Sequence, residues 1–119
     1  MGTGTLSAKQ AQGREGEHSA LRHLRRHGLV LIEANFTCKG GEIDLIMRDG
    51  DALVFVEVRQ RADRRHGGAA ASITPTKIRR IVHAAQVYLQ RLPGLPPCRF
   101  DVVAIDGDQL DWLRDAIQV

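Results

Sequence analysis

Residues 40–61 read GGEIDLIMRDGDALVFVEVRQR, and the rest of the chain takes its meaning from how this stretch folds. Ile43 to Met47 and Leu53 to Val58 are rich in Val, Ile and Phe, whose side chains pack well on a pleated surface. Between them Arg48-Asp49-Gly50-Asp51 supplies the turn of a hairpin. A two-residue loop of Gly50 and Asp51 puts glycine at the first central position of a type II′ turn, where φ must be positive. Asp49 then pairs with Ala52. Counting back sets Arg48 opposite Leu53, Ile46 opposite Phe55, Asp44 opposite Glu57 and Glu42 opposite Arg59, all on one side of the sheet.

Directly opposed residues of an antiparallel pair hold their Cβ atoms about 4.5–5.5 Å apart, and like charges so placed repel. A divalent cation relieves that repulsion. Mg²⁺ or Mn²⁺ suits such a site, since each takes one or two carboxylates and fills its remaining positions with water or phosphate oxygens. The competing reading leaves the carboxylates at the open end of an exposed sheet face, with Arg59 neutralising Glu42. A register slip of one residue would send Asp44 and Glu57 to opposite faces. Spacing alone leaves both readings open.

With 119 residues and 43% hydrophobic content, residues 1–119 form one domain with one core. The 17 basic and 14 acidic residues give a net charge of +3, unevenly spread. Residues 1–99 carry 16 Lys or Arg against 9 Asp or Glu, and residues 100–119 carry 1 against 5. Only Lys9, Lys39 and Lys77 are lysines, so the basic excess is mostly arginine, which suits bidentate recognition of phosphate or carboxylate. Cys38 and Cys98 stand far apart, without the close spacing of a disulfide framework, and fit a reduced cytoplasmic setting. No stretch has the apolar core of a signal peptide or the length of a membrane span, so no membrane partner is expected.

In chain order, Ser7 to His27 reads as a helix with Ala8, Ala11, Ala20, Leu21 and Leu24 as packing positions and Gly28 as its stop. Glu17 lies one turn before Ala20 and Leu21, at the edge of that stripe, facing either a cleft or solvent. Leu29 to Phe36 is a first strand, followed by the hairpin. Ala62 to Ser72, ADRRHGGAAAS, is a small-residue loop expected to be mobile. Thr74 then caps a helix with Pro75 at its first position, and Ile78, Ile81, Val82, Ala85, Leu89 and Leu92 form its apolar stripe. Lys77, Arg79, Arg80 and His83 fall largely off the stripe. That is the pattern of a solvated helix face; with Arg61, Arg64 and Arg65 these residues would also make a basic surface beside the carboxylates. Arg99 to Ile105 is a fourth strand, and Gln109 to Ile117 a short strand or helix. The order is α-β-β-β-α-β.

That order, with an acid in the second strand and Glu57-Val58-Arg59 in the third, resembles the YraN-type family of small bacterial proteins. These are similar to the PD-(D/E)xK restriction-endonuclease-like superfamily, in particular archaeal Holliday junction resolvases. The resemblance rests on GREGEHSALRHLRRHG, GGEIDLI, LVFVEVRQR, GGAAASITPTK and CRFDVVAI, nearly the whole chain. It implies a restriction endonuclease-like α/β fold, a mixed central sheet flanked by helices. It also implies that Asp44, Glu57 and Glu17 are acidic metal ligands for Mg²⁺ or Mn²⁺.

The superfamily's lysine, two residues after the second acid, is here Arg59. Arginine does not deprotonate in proteins, so it cannot serve as a general base, although it can hold a phosphate oxygen. Lys77 is the candidate substitute, if it reaches back into the site. Gln60 adjoins the triplet, where some superfamily members carry a polar residue. The expected function is nucleic-acid binding, to branched or flapped DNA in the first place, by way of Arg61, Arg64, Arg65, Lys77 and Arg80, with metal-dependent phosphodiester hydrolysis. A non-catalytic nucleic-acid-binding module and a protein-interaction domain are the alternatives, and a homodimer is compatible with all three.

Overall fold

The computed structural model describes residues 8–62 and 68–118, with side chains from residue 14 onward. Helix α1, Ala8–Arg26, buries Ala20 and Leu24, one turn apart, against the sheet. It ends where Gly28 turns left-handed at φ 91°, with the amide N–H groups of His27 and Leu29 both donating to the Leu24 carbonyl. Three strands follow: β1, Val30–Cys38; β2, Gly41–Asp49; and β3, Ala52–Arg61. Helix α2, Pro75–Leu89, starts as its sequence dictates, the Thr74 side chain accepting from the Lys77 N–H with Pro75 in the first turn. It leads to β4, Cys98–Asp106, and β5, Gln109–Leu113. The terminal segment, open between strand and helix from sequence, is therefore a strand.

The sheet order is β1-β2-β3-β4-β5, antiparallel except for the parallel pair β3/β4 joined through α2. The helices cover opposite faces. Ala20 and Leu24 of α1 pack with Leu45, Met47, Val54, Val56 and Val103, while Ile81, Ala84, Ala85 and Tyr88 of α2 pack with Ile46, Phe55, Phe100 and Val102. Each fully buried aliphatic or aromatic side chain in these layers contributes on the order of 1.5–3 kcal/mol. Gly41 lets α2 come close, because a Cβ there would collide with the Arg80 carbonyl.

The hairpin register agrees with the count made from Gly50, with Asp49↔Ala52, Arg48↔Leu53 and Ile46↔Phe55 in place and Gly50 at φ 60°. The ladder ends at Leu45↔Val56. Just beyond, strict alternation fails: Ile43 and Ile46 both join the α2-side core although three residues apart, and Leu45 joins the other. Asp44 stands at this break. The loop expected to be mobile is partly ordered: Ala70–Ser72 is a 3₁₀ turn, and the buried Ala69 donates its N–H to Asp106 Oδ1 at 2.7 Å. Asp63, Arg64, Arg65, His66 and Gly67 lie outside the described residues.

Candidate active site

Asp44 and Glu57 are brought together at the break in β2. Beyond the last hairpin pair the Val58 N–H donates not to a β2 carbonyl but to Asp44 Oδ2, at 2.8 Å, which fixes the Asp44 carboxylate beside β3. Glu57 precedes Val58 and is almost wholly buried. Among the described residues its Oε1 has no hydrogen-bond donor, and its Oε2 has two cations at ion-pair range, Lys77 Nζ at 3.7 Å and Arg59 Nη1 at 3.8 Å. Burial first, and then the charge and hydrogen-bonding oxygen of Asp44, push the Glu57 carboxyl up to about 9, while Lys77 and Arg59 pull it down only in part. A carboxyl raised this far keeps its proton at neutral pH.

The basic side chains come from different elements. Lys77, in the first turn of α2, donates to Glu42 Oε1 at 3.0 Å and reaches Glu57 from there. This corrects the expected pairing of Glu42 with Arg59, which assumed that the hairpin register continued past Leu45. The Lys77 hydrogen bond, then its charge, lower the Glu42 carboxyl, with Arg80 adding a smaller effect. Arg59 turns toward the 3₁₀ segment instead, its Nε donating to Ser72 Oγ at 3.0 Å and its Nη2 to the Ser72 carbonyl at 3.4 Å. Ser72 Oγ in turn donates to the Ala69 carbonyl at 2.5 Å. The guanidinium thus faces the groove with Glu57, not the outer rim.

Glu17 approaches from α1. Burial and then the charge of Asp44 raise its carboxyl, and a hydrogen bond from the Asn35 side chain opposes them. Gly16, one residue before Glu17, packs against the Gln60 side chain: a Cβ there would lie 2.6 Å from Gln60 Oε1, itself buried without a hydrogen-bond partner. Among the described residues no three His, Cys, Asp or Glu side chains gather tightly enough to hold an ion by themselves. The donor set is two carboxylates with a third nearby, which fits a hard cation that keeps several waters. An oxygen without a donor and a proton retained by crowding are what a divalent cation would satisfy and displace.

Residues 16–105 match the family described as "Uncharacterised protein family UPF0102". The chain belongs to this family. It is 60% identical over 112 residues to a UPF0102 protein of Herminiimonas arsenicoxydans, covering 94% of this chain and 90% of that one. A UPF0102 protein of Cupriavidus taiwanensis is also 60% identical, over 110 residues, covering 92% and 84%. One from Dechloromonas aromatica is 60% identical over 106 residues, covering 89% and 88%. UPF0102 is the YraN-type family that the sequence resembles.

In this UPF0102 chain the structure gathers Asp44, Glu57, Arg59 and Lys77, with Glu17 beside Asp44 and the exposed Arg80 beside Glu42. Arg61 is exposed at the end of β3, its Nη1 donating to the Gln60 carbonyl at 3.4 Å. Arg64 and Arg65 lie outside the described residues. Sequence reasoning missed Ser72, which holds Arg59, and Asn35, which holds Glu17. The first lay in a loop with no periodicity, and the second in a strand whose pattern gave no sign of a left-handed residue. No helix among the described residues is long and apolar enough to cross a membrane.

Proposed function

We propose that this chain is a metal-dependent endonuclease that acts on nucleic acid, with branched or flapped DNA as the substrate class to test first. The observation that carries this reading is Lys77 Nζ standing 3.7 Å from Glu57 Oε2, beside the Asp44–Glu57 pair. Position 59 carries arginine where the superfamily has lysine, and Lys77 of α2 is the lysine that reaches the second acid in its place. Asp44 and Glu57 would hold Mg²⁺ or Mn²⁺, which when bound supplies charge stabilisation at the phosphate and a more acidic water.

The chain's own residues have separable roles. Lys77, braced by Glu42, presents donors to a phosphate oxygen or to the attacking water. Arg59 cannot take a proton, and its planar guanidinium, held by Ser72, is suited to clamping a phosphate oxygen. Arg61 and Arg80 extend positive charge from the groove, and Arg64 and Arg65 are proposed to join them. Arg59 in place of lysine also supports a second reading, a nucleic-acid-binding module that no longer cleaves. The deciding experiment offers branched, flapped and linear DNAs with Mn²⁺ to the native chain and to Asp44→Asn. Cleavage lost in the variant supports the enzyme, while salt-sensitive binding with no cleavage supports the binding module.

A further inference from the structure

The left-handed residue in β1 touches Glu17, and its backbone conformation has no part in the chemistry described so far. Asn35 has φ 55° in the interior of an edge strand, where an extended backbone is the rule. Asparagine tolerates this conformation better than most residues, and such outliers gather at functional sites. Its location is specific. The pairs Ala34↔Leu45 and Phe36↔Ile43 set Asn35 directly opposite Asp44. On its other side Asp44 lies just past the last β2/β3 pair, so the regular sheet is interrupted on both flanks of this one acid. Asn35 also makes a side-chain hydrogen bond to Glu17, which reaches the site from a different element.

We propose that Asn35 is a positioning residue: its left-handed backbone opens the sheet opposite Asp44, and its side-chain amide holds the Glu17 carboxylate toward that opening. The proposal rests on the metal-site reading above and adds to it the means by which a third acid is kept near Asp44, which repels it. An amide suits this task, because it donates to the carboxylate without adding charge. Backbone and side chain can be tested apart, since glycine adopts φ near 55° without strain but has no amide.

The test measures Mn²⁺ binding by calorimetry at one pH for the native chain, Asn35→Gly, Glu17→Gln and the double variant, with thermal unfolding alongside. Asn35→Gly is expected to keep the native unfolding temperature within a few degrees and to bind Mn²⁺ about tenfold more weakly, the low end for residues that orient metal ligands. Glu17→Gln is expected to lose as much, and the double variant no more than either. Native affinity in Asn35→Gly, or losses that multiply in the double variant, would overturn the proposal. A native chain that takes up no Mn²⁺ defeats the metal reading itself. The positioning role is then decided without metal, by the carbon-13 shift of the Glu17 side-chain carboxyl at fixed pH. A change in Asn35→Gly supports it, and an unmoved signal in a folded variant overturns it.

Discussion

Two buried acids on neighbouring strands, Asp101 and Glu57, are 0% and 2% exposed, yet they are treated in opposite ways. Asp101 is saturated with donors. Arg99 Nε reaches its two oxygens at 3.0 and 3.3 Å, Trp112 Nε1 donates at 2.9 Å, and the Asp115 N–H donates at 2.9 Å. Those bonds tie β5 and the C-terminal segment to β4, so this acid is a structural fastening. Among the described residues Glu57 has one oxygen with no donor and another with two distant cations, and a second acid, Asp44, acts on it at close range. Burial alone does not mark a functional acid; burial without enough donors does.

The largest effect expected from this contrast is on stability. Asp101→Asn weakens the charge-assisted bonds to Arg99 and should cost about 3 kcal/mol in urea unfolding, whereas Glu57→Gln at pH 8 should cost nothing. Equal losses at the two positions would erase the distinction.

A smaller effect follows from pH. With its carboxyl raised to about 9, folded Glu57 binds more protons than the unfolded chain at every pH between its ordinary value of 4.5 and that point. Native stability in a chelator therefore falls as pH rises through this window. Glu57→Gln removes this dependence: its stability should match the native chain below pH 4.5 and exceed it by on the order of 1 kcal/mol or more toward pH 9. A native curve that rises from pH 5 to 9 relative to the variant would contradict the raised carboxyl.

The two cations sharpen the comparison further. Arg59 and Lys77 are partly exposed, so Arg59→Ala and Lys77→Met should each change stability by less than about 1 kcal/mol. Both should abolish metal-dependent cleavage, and Arg59→Lys should retain a measurable part. Stability losses with unchanged cleavage would make them fastenings like Arg99. The smallest change concerns DNA binding. Affinity should fall steeply with salt, and Arg80→Ala should weaken it uniformly across sequences while lowering the slope by about 1.

Much of this contrast was legible in the chain, for identifiable reasons. Gly50 pinned the turn, the turn pinned the register as far as Leu45↔Val56, and Asp44 and Glu57 stand one step beyond that last pair. The partner of Glu42 was misread because that register was carried past Leu45↔Val56, where the Val58 N–H turns to a side chain and the strands no longer pair. Asp101 gave no signal of its own: an acid in Arg99-Phe100-Asp101 looks like any polar residue on an alternating strand. Its four donor contacts come from Arg99, Trp112 and Asp115, which only the folded β4/β5 edge brings together. Lys77 reads as one more residue on a basic helix face until α2 is seated over Gly41 and its first turn points at Glu57.

The central claim is that Glu57 is left short of donors so that a cation can complete it. Calorimetric titration of the chelator-treated protein with Mn²⁺ at pH 7.5, in buffers of differing ionisation enthalpy, tests it directly. The account predicts binding that releases close to one proton, is lost in Asp44→Asn and in Glu57→Gln, and persists in any folded Asp101 variant. Binding that survives both site substitutions, or that releases no proton, would contradict it.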